Sequence, residues 1–198
     1  MSLAISVAKE LTRLADSGPE PDPLTNLRLQ KLLYYVQGWS LVARESQFFP
    51  EGIEAWRHGP VVPDVYHGLP KDLGCDPIIQ DYFQSAPDLS AEERRFVSSV
   101  WEAYKGYSAT ALRQKTHQES PWKDAWGDRP ADGTGNDLIG IDAIDVFFAS
   151  QDMPGPIERY ERERIQMERD ATRKLAERPR INKAKLAARA TYVSGSLR

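Results

Sequence analysis

The chain has 198 residues, 40% of them hydrophobic, one cysteine (Cys75) and a formal net charge of −3. That is enough apolar material for one domain with a real core plus an appendage. A lone cysteine excludes an internal disulfide framework, and no charged-then-apolar leader or long apolar run suggests export or membrane insertion, so a cytoplasmic protein is expected.

Short helices dominate the pattern. Ile5 to Ala15 places Ile5, Ala8, Leu11 and Ala15 on one side. Thr25 is a good N-cap for a helix from Asn26 to about Glu45, in which Leu29, Leu32, Leu33, Val36, Trp39 or Ser40, and Ala43 form an apolar stripe. Arg28, Lys31, Tyr35 and Gln37 lie mostly off that stripe and are expected near solvent, where Tyr and Arg make efficient protein contacts. Ile53 to Trp56 reads as one short extended piece with no evident strand partner. After Trp56, Arg57 and His58, Gly59 allows a sharp corner and Pro60 is preset for the first turn of a helix to about Leu69.

A loop rich in Asp, Gly and Pro covers Pro70 to Asp88. Ser90 with Glu93 forms a capping box ahead of Phe96, Val97, Val100, Trp101 and Tyr104. Ser108 opens a helix to about His117, where His117 is expected to support the terminal carbonyls. Ser120 and Pro121 open a short helix carrying Trp122 and Trp126 on one side. Asp128 to Asp137 reads as a polar loop, and Asp142 as the cap of a last helix containing Ile141, Ile144, Val146, Phe147 and Phe148.

These elements define an all-α fold: a compact multi-helix domain over residues 1–153, followed by a charged, basic tail over 154–198, helical or partly disordered. Glu158 to Arg178 alternates Glu and Arg and is helical by propensity. Pro179 breaks it, and Ile181 to Tyr192 is a second, weaker candidate helix. Charge separates the two parts. From Ile157 to Arg198 there are 12 Lys and Arg against 6 Asp and Glu, a net +6, and Met1 to Pro156 carries 14 against 23, a net −9. An acidic body disfavours nucleic acid as its main ligand and suits a basic protein partner. The basic tail leaves DNA contact open.

No catalytic constellation emerges. His58, His67, His117 and Cys75 have no metal-ligand spacing, and no phosphate loop or nucleophile elbow is present, so neither a metal nor a cofactor is expected. The residues that stand out are those of a binding module: Arg28, Lys31, Tyr35, Trp56, Arg57 and His58. The corner holding the last three has no obvious structural need for both a guanidinium and an imidazole.

Four separated patches carry a family resemblance. They are Leu29 to Trp39; Trp56 to Pro63 with Val65 and Tyr66; Leu112, Arg113, Thr116, His117, Ser120, Pro121, Trp122 and Trp126; and the helix from Ile141 to Phe148. In that order, over about Val7 to Ala149, the chain resembles the Panacea domain, the antitoxin module shared by SocA-like proteins and often encoded in phages and prophages. The resemblance implies an antitoxin that neutralises a cognate protein toxin by direct binding, or one that delivers the toxin to a Clp-type protease. It does not reach the tail. Two other readings stay open: a DNA-binding regulator that uses the basic tail, and a phage or host interaction module unrelated to toxin control.

Overall fold

The computed structural model describes residues 3–17 and 21–177. Helix α1 (Ala4–Asp16) buries Ala4, Val7, Ala8, Leu11 and Ala15, and its first free amide, that of Ala4, donates to Glu51 Oε1 at 3.0 Å. Helix α2 (Asn26–Ala43) begins at Thr25, whose hydroxyl accepts from the Arg28 amide. Strands β1 (Glu54–Trp56) and β2 (Gly59–Val61) precede α3 (Pro63–Gly68), and a single 3₁₀ turn spans Gln80–Phe83. Helices α4 (Ala91–Tyr104), α5 (Ala109–Thr116) and α6 (Ser120–Trp126) follow, then β3 (Asp137–Leu138) and α7 (Ile141–Ala149). The capping box of Ser90 and Glu93 and the Ser108 cap form as the sequence indicates.

The architecture is mainly α, with α2 at its centre. Residues 28–40 are buried without a break, because α1, α4, α5, α7 and β2 all pack on this one helix. A helix covered on every side has no solvent face for its polar residues. The expectation that Arg28, Lys31, Tyr35 and Gln37 lie near solvent is therefore corrected: their exposures are 6%, 0%, 1% and 1%. Each polar head is retained by hydrogen bonds, as burial requires. Arg28 donates to Asp22 at 2.6 Å and to the Lys105 carbonyl at 2.5 Å. Gln37 accepts from the Phe48 and Phe49 amides and donates to the Phe49 carbonyl, tying the loop after α2 to its interior. Close approach of α7 depends on Gly38: a Cβ there would meet the Phe148 ring at 2.2 Å.

The extended piece at Ile53 to Trp56 does have partners. A three-stranded antiparallel sheet runs in the order β2-β1-β3, with Ala55 opposite Pro60 and also opposite Asp137. Pro60 thus sits in a strand rather than opening a helix, and the helix begins three residues later at Pro63. An edge strand tolerates proline because the missing N–H faces away from the ladder. The polar loop from Asp128 likewise ends in β3, and α7 starts at Gly140 without a side-chain cap, which leaves Asp142 in the first turn.

Helix α8 (Gly155–Ala176) confirms helix in the charged segment. The chain forms two units, Met1–Glu161 and Arg162–Arg198. In the first, Ile157 and Tyr160 are buried, the Tyr160 ring lies 5.1 Å from Phe96, and its hydroxyl meets Glu92. In the second, Arg164 pairs with Glu168 and Arg173 with Asp170 along the exposed helix. The helix break at Pro179 and the helix expected over Ile181 to Tyr192 lie outside the described residues. No helix among the described residues is long and apolar enough to cross a membrane.

A candidate partner-binding corner

Trp56, Arg57, His58 and Gly59 form the tight connection between β1 and β2. Gly59 has φ +101°, a conformation that side-chain-bearing residues resist, and this allows a two-residue turn. The turn is clamped from below at three points. Trp122 Nε1 donates to the Trp56 carbonyl at 2.9 Å, Lys31 Nζ to the Pro60 carbonyl at 2.7 Å, and the Val62 amide donates to Gln30 Oε1 at 2.9 Å. Polar residues of the central helix thereby hold the backbone of an exposed loop. Such a scaffold presents loop side chains at little ordering cost.

Above the clamps, Arg57 and His58 are exposed and Trp56 is half-buried. The Trp56 indole donates to Glu54 at 2.7 Å and packs edge-on to Tyr66 at 4.8 Å, with the His67 ring 5.8 Å away. Tyr66 is itself exposed. The surface is a contiguous set of aromatic rings flanked by a guanidinium and an imidazole, the side-chain types that dominate binding at protein interfaces.

Helix α5 completes the corner. His117 lies at the end of α5, and its ring stacks on Trp122 at 3.9 Å and 6°. Burial, followed by the nearby Arg113, Lys31 and His58, holds this imidazole down to about 4. It is therefore neutral at physiological pH, and the helix end is served by its backbone amide, which donates to the Arg113 carbonyl. The expected charge role of the ring is corrected accordingly. His58 is also lowered, by burial first and then by Arg113, Arg57 and Lys31. Lys31, fully enclosed, is lowered well below the ordinary lysine value by burial and by Arg113.

Of the residues singled out by sequence, Trp56, Arg57 and His58 occupy the exposed corner and Lys31 lies directly under it. Tyr35 is in the core, its hydroxyl donating to Glu119 at 2.9 Å and its ring stacked on Tyr104 at 4.1 Å. Glu119 is raised, chiefly by burial. Arg28 reaches the loop before α2 and the end of α4. Sequence reasoning did not assign Tyr66, His67, Arg113 or His117 to this site. The three- and four-residue spacing of Arg113, Thr116 and His117 was the available signal, since it places them on one face of α5. No group of three or more His, Cys, Asp or Glu side chains among the described residues could hold a metal ion.

Residues 29–123 match the family model described as Antitoxin SocA-like, Panacea domain. Over these residues the chain is similar to the Panacea domain. The match runs from the first buried leucine of α2 into the first half of α6, so it contains the hairpin, its clamps and the α5 face. A relative, Antitoxin SocA of Caulobacter vibrioides (strain NA1000 / CB15N), is 48% identical over 44 residues, which is 22% of this chain and 23% of the relative. The aligned part thus spans under a quarter of that protein's length. No solved structure matches the chain at a significant level.

Proposed function

We propose that this protein is an antitoxin that neutralises a cognate protein toxin by binding it directly, and that the hairpin corner is part of the surface that makes the contact. The observation that carries the reading is the exposed cluster of Trp56, Tyr66, Arg57 and His58 on a rigidly clamped turn, inside the segment matched by the antitoxin-family model. Binding without chemistry is the activity such a surface supports: large rings supply apolar area, and the guanidinium and imidazole supply directional contacts. The acidic charge of Met1 to Pro156 favours a basic partner.

Co-expression with a small neighbouring gene that cannot be cloned alone tests this. The chain is expected to restore growth and to co-purify with the product. Trp56→Ala with Tyr66→Ala is expected to lose both effects while the circular dichroism spectrum stays that of the folded protein. Full rescue by that folded variant would exclude the corner. Rescue that requires an active Clp protease and lowers toxin level would establish delivery in place of blocking. DNA binding that falls steeply with salt, and disappears on removal of residues 157–198, would establish the regulator reading instead.

A further inference from the structure

We propose that the corner is an oxyanion-binding site, built by Arg57 and His58 of the hairpin and by Arg113 and His117 of α5, and that it takes a carboxylate side chain of the protein partner. The identity of the partner rests on the antitoxin reading above; the site itself does not.

The backbone brings the four side chains together. Gly59 is bracketed by α2 and α5: a Cβ built on it would stand 2.9 Å from Thr116 Oγ1 and 3.0 Å from Lys31 Nζ. His58 immediately precedes that glycine, and His117 immediately follows that threonine. Arg113 lies one helical turn before His117, on the same face. Trp122 locks the arrangement by stacking on His117 and bonding the Trp56 carbonyl.

Charge is unbalanced there. Arg13, Arg28, Arg44 and Arg129 each pair with a carboxylate of the chain. Arg57 and Arg113 have no such partner among the described residues. Two nitrogens of the corner, Arg113 Nε and His117 Nε2, are buried without a hydrogen-bond partner. Buried polar atoms left in this state call for an explanation, of which a bound group is one. Beneath them Lys31 is engaged with the Pro60 carbonyl and brings no acid. Two guanidiniums without a carboxylate partner raise the local concentration of an anion.

A single carboxylate fits better than a polyanion. The guanidinium fork matches the two oxygens of a carboxylate. The surrounding segment, Met1 to Pro156, carries a net −9, which opposes approach of a nucleic acid or polyphosphate far more than that of one acidic side chain. Arrival of an anion would also raise both depressed imidazoles toward their ordinary value, which provides a readout.

The test uses the full chain with labelled histidines, titrated with acetate and separately with inorganic phosphate, ionic strength being held constant with chloride. Acetate is expected to move the His58 and His117 imidazole resonances beyond the effect of chloride. Arg113→Gln should weaken that titration about tenfold or more. Arg57→Gln, at an exposed position, provides a variant whose folding is not at stake and should weaken it as well. No response to either anion, or unchanged titrations in both variants, overturns the site. A response to phosphate alone overturns the carboxylate. In cells, the chain with Arg57→Glu and Arg113→Glu should fail to neutralise toxin, and selected toxin suppressors should replace an Asp or Glu with a neutral or basic residue. Undiminished neutralisation by that chain overturns the partner carboxylate while leaving the antitoxin reading intact. If the wild-type chain neutralises nothing, the antitoxin reading and the partner carboxylate fail together, and the anion titrations still decide the site.

Discussion

Replacing Gly59 with alanine attacks the corner at its tightest point. The native φ of +101° lies where a residue with a Cβ is strained, at a cost of about 1–3 kcal/mol. The new methyl would also stand 2.7 Å from Lys31 Cε and 2.9 Å from Thr116 Oγ1. Neither neighbour yields easily: Lys31 and Thr116 are both fully buried, and Lys31 is held to Pro60. Overpacking of this kind adds about 1–3 kcal/mol. Together the substitution should cost about 2–6 kcal/mol, a large part of the roughly 5–15 kcal/mol that stabilises a typical domain. Urea denaturation followed by tryptophan fluorescence measures it. Adding Thr116→Ala should recover part of the packing cost and none of the backbone cost. A Gly59→Ala protein within about 0.5 kcal/mol of wild type would refute the account of the turn, since that is the range of innocuous surface changes.

Other outcomes follow from the same geometry. Gly38→Ala should destabilise despite alanine's advantage of about 1 kcal/mol in a helix, because its methyl meets a Phe148 ring hemmed in by Tyr34, Tyr35 and Trp39. Adding Phe148→Leu should restore stability, and a double-mutant cycle with no coupling would disprove the contact. Burial holds Lys31 well below its ordinary value in the fold, so beneath 10.5 the unfolded chain binds more protons and wild-type stability should rise with pH up to about that value. Lys31→Met should abolish that contribution, and equal pH slopes for the two proteins would contradict it. Tyr66→Ala should leave stability within about 1 kcal/mol while weakening toxin binding about 30-fold, the scale of an interface hot spot; calorimetric binding at wild-type strength would remove Tyr66 from the surface.

Local features were readable in advance because their causes are local. The hydroxyls of Thr25, Ser90 and Ser108 accept from an amide three residues ahead, and Trp122 and Trp126 share a helical face, with their rings 5.4 Å apart and nearly parallel. The same holds for the charged helix that begins at Gly155. The Panacea resemblance was legible for a related reason: the sequence patches that carry it include the turn and the clamps that hold it.

What the chain alone determined, then, was its inventory of helices, the Trp56–Gly59 corner and the family that residues 29–123 resemble. Tertiary structure decided which polar groups face solvent. Arg28, Lys31 and Gln37 lie off the apolar stripe by spacing, and only the packing of five other elements around α2 puts them inside, where each finds an acceptor from another segment. The strands were decided in the same way, since Pro60 can pair only when Ala55 lies opposite. Arg113 joined His58 because α5 and the hairpin meet on the same side of the central helix, at a separation along the chain that no periodicity encodes.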